Sequence, residues 1–68
     1  MNINKADQHQ MDSIAYYIFG ETGIECTIEQ VKRLIDEAIE RWSQDWLDEV
    51  EDDAELAENL ADIIWDTE

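Results

Sequence analysis

WSQDWLDEVEDDAELAENLADIIWDTE, the stretch from Trp42 to Glu68, decides the fold of this chain. It contains eleven carboxylates and neither lysine nor arginine. Its large apolar residues recur at helical intervals, which is typical of folded amphipathic helices and not of a disordered acidic tail. They are Trp46, Leu47, Val50, Leu56, Leu60, Ile63, Ile64 and Trp65. The stretch therefore predicts a helical scaffold with a negatively charged surface.

The composition of the whole chain restricts its partners. In 68 residues, 19 acidic and four basic side chains give a net charge of -15, while 44% of the residues are hydrophobic. This charge disfavours direct binding to nucleic acid or to an anionic membrane, and it favours a basic protein surface. The apolar fraction is too high for a purely solvated chain. We expect one small folded domain over residues 1–68.

Catalytic, cofactor and secretory features are weak in the sequence. The single cysteine, Cys26, has no partner for an internal disulfide, and no stretch has the length and apolarity of a signal peptide or membrane span. His9 is the only histidine and has no residue spaced for metal binding or base catalysis. We expect a cytoplasmic, non-catalytic protein without a metal or cofactor.

The first helix is predicted over residues 8–19. Met11, Ile14, Ala15 and Ile18 fall at helical spacing, and either Gly20 or Gly23 would end the helix. Residues 1–7 have no such periodicity, so we expect them to be frayed.

A second helix is predicted over residues 28–49. Thr27 and Gln30 have the spacing of a capping box, which marks a helix start. The apolar residues then form one stripe that predicts a core-facing side. The stripe consists of Ile28, Val31, Ile35, Ile39, Trp42 and Trp46.

The same helix is predicted to engage its basic residues internally. Glu29 precedes Arg33 by four residues, and Glu37 precedes Arg41 by four. Both pairs have the orientation that favours an ion pair on a helix.

A third helix is predicted over residues 54–65. A continuous helix would project Asp53 into the apolar stripe, so a break is expected between Glu49 and Asp53, with Asp52 or Asp53 as the cap. The third helix would bury Ala57, Leu60, Ala61 and Ile64. The fold prediction is an all-α, antiparallel three-helix bundle.

The acidic side chains are predicted to form a contact surface. Four of them follow one edge of the third helix, others extend along the second helix, and an acidic turn joins the two sets. Carboxylates held at such intervals resemble the phosphates of a nucleic acid and could occupy a groove lined by Lys and Arg. The predicted contact residues are Asp36, Glu40, Asp45, Asp48, Glu51, Asp52, Asp53, Glu55, Glu58, Asp62 and Asp66, together with Trp65.

Four alternatives remain open at this point. The acids could be only a solvated, solubilising face. An unpatterned divalent-cation site could lie between Asp48 and Glu55. An antitoxin or regulatory adaptor would bind a basic partner through an acidic helix and buried aromatics such as Trp65. A self-assembling homodimer would use Trp42 and Trp46 across a two-fold interface.

In size, acidity and helical aromatic core, with the carboxylates after Trp42 as its most specific feature, the chain resembles small phage-encoded anti-CRISPR proteins and other DNA mimics. The resemblance is one of composition. It implies an inhibitor that binds a Lys/Arg-lined channel of a CRISPR effector, restriction enzyme or other DNA-processing protein in the host cytoplasm and blocks access of DNA. It assigns no individual residue a role.

Overall fold

The computed structural model describes residues 3–67 and contains four helices: α1 (Gln8–Thr22), α2 (Ile28–Arg41), α3 (Gln44–Glu49) and α4 (Asp53–Thr67). No strand occurs among these residues. The all-α prediction is therefore confirmed. The predicted three-helix bundle is not confirmed, because the described residues form four helices.

Helix α1 begins at an Asp cap and ends at a left-handed glycine. The Asp7 carboxylate accepts hydrogen bonds from the backbone N–H groups of His9 and Gln10, and Gly23 has φ of 75°. The N–H of Gly23 donates to the carbonyl of Phe19 at 2.7 Å. Gly23 is thus the terminator, Gly20 lies inside the helix, and the predicted end at residue 19 is three residues short.

Helix α2 starts at the predicted capping box. The Thr27 hydroxyl accepts from the N–H of Gln30 at 3.2 Å, while the Gln30 side chain accepts from the N–H of Thr27 at 2.8 Å. The predicted pair of Glu37 and Arg41 is present at 3.2 Å. Glu29 instead pairs with Lys32 at 3.7 Å, not with Arg33.

The continuous helix predicted over residues 28–49 is wrong. Helix α2 ends at Arg41, and the chain turns at Ser43, whose φ of 132° is a left-handed value that non-glycine residues rarely adopt. The turn allows Leu47 to reach the core, whereas Trp42 is 41% exposed. Trp42 packs edge to face on the half-buried Trp46, with ring centroids 5.0 Å apart. Two indole groups are too bulky for the apolar stripe of so small a domain, and the smaller leucine takes the buried position.

The predicted break before α4 is confirmed. Helix α3 ends at Glu49 and α4 begins at Asp53, with the Asp52 carboxylate accepting from the N–H of Glu55 at 2.8 Å. The buried face of α4 is rotated from the predicted one, since Ile64 is only partly buried. Its fully or nearly fully buried residues are Leu56, Ala57, Leu60, Ala61 and Ile63.

The core forms where α1 and α4 pack together, with α2 covering one side. Helix α1 packs most extensively against α4, and the buried residues within the described part of the chain are all apolar. Besides the α4 residues, they are Met11, Ile14, Ile18, Val31, Ile35, Ala38, Leu47 and Val50. Burying this stripe of α4 directs its acidic edge outward.

The segment before α1 makes defined contacts. The N–H of Asp7 donates to the carbonyl of Asn4 at 3.0 Å, Ile3 packs on the core, and Lys5 forms an ion pair with Asp36 on α2. Met1 and Asn2 lie outside the described residues, and fraying of residues 1–7 stays a prediction. None of the helices in residues 3–67 has the length and apolar character that spanning a bilayer requires.

Candidate partner-binding groove

A groove between α1 and α4 gathers part of the predicted acidic surface. Its volume is about 700 Å³, five of its lining residues are acidic, and no Lys or Arg lines it within the described part of the chain. We call it the acidic groove. It is lined by Glu21 of α1 and by Asp52, Ala54, Glu55, Glu58, Asn59, Ala61, Asp62 and Trp65.

Helical periodicity places the acids of α4 on this groove. Glu58 and Asp62 are four residues apart and both are exposed, while Leu56, Leu60 and Ile63 occupy the buried side of the same helix. Neither carboxylate forms an ion pair with a described residue. Two like charges at this spacing repel by about 0.2–0.5 kcal/mol. The fold therefore tolerates an uncompensated acidic edge here.

Asp52 and Glu55 fix the start of α4 as well as lining the groove. Besides the Asp52 cap, the Glu55 carboxylate accepts from the N–H of Glu51 at 3.4 Å. The carbonyl of Glu55 in turn accepts from the side-chain amide of Asn59 at 2.8 Å. Acidic groups near a helix N-terminus are stabilised by its dipole. These two carboxylates are consequently held in position by the backbone they cap.

Trp65 lies at the far end of the groove from the cap. Its side chain is 53% exposed, although it follows a buried helical turn. An exposed indole beside carboxylates presents both a flat apolar face and nearby negative charge, which is a suitable environment for a cationic side chain. The structure thus places predicted residue Trp65 together with Glu58 and Asp62.

Two predicted contact residues form ion pairs within the chain. Asp36 pairs with Lys5, and Asp66 pairs with Arg41 at 2.8 Å. Arg41 also contacts Glu37, so it links α2 to the end of α4. The hydrogen bond to Asp66 is the main cause that raises the pKa of Arg41. At this junction negative charge is partly compensated.

The remaining predicted acids lie outside the groove. Glu40, Asp45, Asp48 and Glu51 are exposed elsewhere on α2, on α3 and in the following turn. Asp53 is half-buried at the start of α4, and one of its carboxylate oxygens is buried without a hydrogen-bond partner. The twelve predicted residues do not form one continuous row, and their contact role stays a prediction.

Glu21 is a groove residue that the sequence pattern did not identify. It lies seven residues after Ile14 and three after Ile18, and so beside the buried stripe of α1. The sequence prediction missed Glu21 because it ended the helix at residue 19, which would leave Glu21 in a loop. In the structure α1 extends to Thr22. Tyr16, Tyr17 and Phe19 are exposed on the same helix.

Other chemistry-bearing residues do not form a site. Among the described residues, no three His, Cys, Asp or Glu side chains are grouped so as to hold a metal ion. Cys26 is half-buried, and desolvation raises the pKa of its thiol. His9 is exposed in the first turn of α1.

Comparison of the chain with known proteins finds no matching family model, no similar curated protein and no similar solved structure.

Proposed function

We propose that this chain is a non-catalytic inhibitor that binds the nucleic-acid-binding surface of a basic partner protein by presenting carboxylates in place of phosphates. A phage anti-defence role of the anti-CRISPR type, exerted in the host cytoplasm, agrees with its size and charge. The observation that carries the proposal is the acidic groove, where Glu21, Glu58 and Asp62 meet without a compensating base.

The spacing of the acids supports this proposal. Residues three or four apart on a helix stand about 5–6 Å from one another, a separation of the same order as that between phosphates along one nucleic-acid strand. Glu55, Glu58 and Asp62 follow these intervals on α4. Because α4 packs on the core, these groups are held at fixed intervals before a partner arrives. Less conformational entropy is then lost on binding.

The proposal predicts a strong salt dependence. The attraction between a basic groove and a protein of net charge -15 acts between exposed charges, as the attraction between that groove and nucleic acid does. Affinity should fall steeply as ionic strength rises, since exposed charges are screened within about 10 Å at 0.1 M salt.

The test is capture followed by competition with DNA. The chain is immobilised, a nuclease-treated lysate is applied at low salt, and bound proteins are eluted with a salt gradient. A parallel column carries the triple variant Glu21→Lys, Glu58→Lys, Asp62→Lys. We expect a basic protein that is retained only by the unsubstituted chain and is displaced by duplex DNA. Equal retention on both columns, or simultaneous binding of DNA and this chain to the partner, would overturn the proposal.

A second candidate function is favoured by the exposure of Trp65. An antitoxin or regulatory adaptor would derive much of its affinity from burying this indole, and its binding would depend less on salt. Trp65→Ala would then abolish retention, while the charge-reversed triple variant would keep most of it. The opposite pattern supports mimicry.

A further inference from the structure

Helix α1 presents three aromatic side chains that its own core does not use. Tyr16, Tyr17 and Phe19 are 75%, 42% and 47% exposed, whereas Met11, Ile14 and Ile18 of the same helix are fully buried. The two tyrosine rings meet edge to face, with centroids 5.9 Å apart. We call Tyr16, Tyr17 and Phe19 the aromatic face. Clustered exposed apolar groups mark an interaction surface more often than singly scattered ones do.

The aromatic face is continuous with the acidic groove. Tyr16, Tyr17 and Phe19 line a shallow groove together with Gly20 and Glu21, and Glu21 also lines the acidic groove that ends at Trp65. Gly20 leaves open space above the helix, with no heavy atom near the position of a Cβ. A partner chain could therefore follow α1 from the aromatic face into the acidic groove without meeting a bulky side chain at the junction.

The charges around this surface select its occupant. Asp12 and Glu25 line the groove on the other side of Tyr16 and Phe19, and Glu21 stands at the junction. No Lys or Arg lines these grooves within the described residues. A second copy of the chain would bring its own charge of -15 to the same place, which opposes self-association. The surface is complementary to a cationic segment.

Aromatic rings among carboxylates discriminate between the two cationic side chains. The guanidinium of arginine is planar, weakly hydrated and able to stack on a ring while it donates to a carboxylate, whereas the lysine ammonium is compact and strongly hydrated. We propose that the aromatic face, with Glu21 and the acidic groove, docks an arginine-bearing segment of the partner protein. This inference rests on the proposed function and specifies the chemistry of its partner.

The test compares arginine and lysine homopeptides of equal length, titrated into the full chain at the same ionic strength. We expect the arginine peptide to bind about threefold more tightly, because lysine also makes cation–π contacts but its ammonium is more strongly hydrated and cannot stack as a plane. The triple variant Tyr16→Leu, Tyr17→Leu, Phe19→Leu keeps apolar side chains with good helix propensity but removes the rings. Its preference for the arginine peptide should be clearly smaller than that of the unsubstituted chain, with Trp65 as the ring that remains.

Two controls make the result decisive. Trp42→Leu removes another exposed aromatic ring, one that lines none of the three grooves, and should retain the arginine preference. Circular dichroism with thermal unfolding checks that each variant is folded. Equal affinity of the unsubstituted chain for both peptides, or an arginine preference that is undiminished in the folded leucine variant, would overturn the inference.

The failure of this inference is distinguishable from that of the proposed function. If the arginine preference is absent but the Glu21→Lys, Glu58→Lys, Asp62→Lys variant binds both peptides much more weakly, the acidic groove stands and only the aromatic contact is excluded. If that variant binds both peptides as tightly as the unsubstituted chain, the acidic groove is not a contact surface and the proposed function is contradicted.

Discussion

The middle of α4 and its last turn treat the same kind of side chain in opposite ways. In the last turn, Asp66 is paired with Arg41 of α2, which also holds Glu37. In the middle, Glu58 and Asp62 share the acidic groove with Glu21 and have no basic residue beside them. Negative charge is compensated where Arg41 links α2 to α4 and uncompensated in the acidic groove.

This difference argues for a contact role over simple solubility. Surface charge for solubility is adequate at a net value of about 2–8 and works best with mixed signs, while this chain reaches -15 and leaves one groove with a single sign. Repulsion among the carboxylates lowers the free energy of unfolding, which is already small for a domain of this size. A basic partner would relieve that repulsion on binding.

Reversing charge in the acidic groove should give the largest effect. Glu21→Lys, Glu58→Lys and Asp62→Lys together are expected to weaken binding to the captured basic partner by about 100-fold or more at low salt, because attraction at three contact points becomes repulsion. The measurement is a titration followed by isothermal calorimetry. As a matched control, Glu40→Lys, Asp45→Lys and Glu49→Lys change the net charge equally on exposed sites outside the groove. An equal loss in both variants would remove the distinction between the acidic groove and the other exposed acids.

The glycines of α1 test whether Glu21 belongs to a helix that faces the groove. Gly23 has φ of 75°, so Gly23→Ala should lower the free energy of unfolding by about 1 kcal/mol. Gly20 lies inside the helix with open space around its Cα, so Gly20→Ala should raise it by up to about 1 kcal/mol. Urea denaturation measures both. The two substitutions should change the free energy of unfolding in opposite directions. Destabilisation by Gly20→Ala together with stabilisation by Gly23→Ala would mean that α1 ends at Gly20.

Ser43 tests the turn that ends α2 just after Arg41. Its φ of 132° and ψ of 167° lie in a region that strains a non-glycine residue by about 1–3 kcal/mol, and its side chain makes no capping hydrogen bond. Ser43→Gly should relieve this strain but add the entropic cost of a glycine in the unfolded chain. The net result should be a free energy of unfolding higher by about 1 kcal/mol. Ser13→Gly, inside α1, should lower it by about 0.5 kcal/mol. A destabilising Ser43→Gly would contradict the strained turn.

Removing the compensating base should have the smallest effect. Arg41→Gln breaks the contacts to Glu37 and Asp66, but exposed ion pairs contribute little to stability. We expect a slight decrease in the thermal midpoint that disappears at high salt, with partner affinity unchanged or slightly raised. Arg33→Gln removes the same charge without an ion pair between helices and should change the midpoint less. A large loss of affinity in Arg41→Gln would place the contact at the junction of Arg41 and Asp66.

Local signals in the sequence predicted much of the fold. The capping box at Thr27 and Gln30 and the break before Asp53 depend on residues close together in sequence, and both are present. No glycine or proline near Trp42 and Ser43 indicates in the sequence that α2 ends there. Helix α2 ends there because Leu47 occupies the buried position and Trp42 stays exposed, which is a tertiary effect of core packing.

The site could be predicted only in part for a related reason. Helical spacing placed Glu55, Glu58, Asp62 and Asp66 along one edge of α4. The first three line the acidic groove with Trp65, while Asp66 pairs with Arg41. Which acids would be compensated depends on pairs 25 and 31 residues apart, Arg41 with Asp66 and Lys5 with Asp36. Such pairing is set by how the helices pack, so the contrast between the acidic groove and the last turn of α4 emerges only in three dimensions.

The most direct test of that contrast is an NMR titration of the isotope-labelled chain with the captured basic partner. The account predicts that the largest amide shifts occur at Glu21 and over residues 58–65, with the indole N–H of Trp65 among them, and that residues 36–41 change little. Shifts centred on residues 36–41, or spread evenly over all exposed acids, would contradict it.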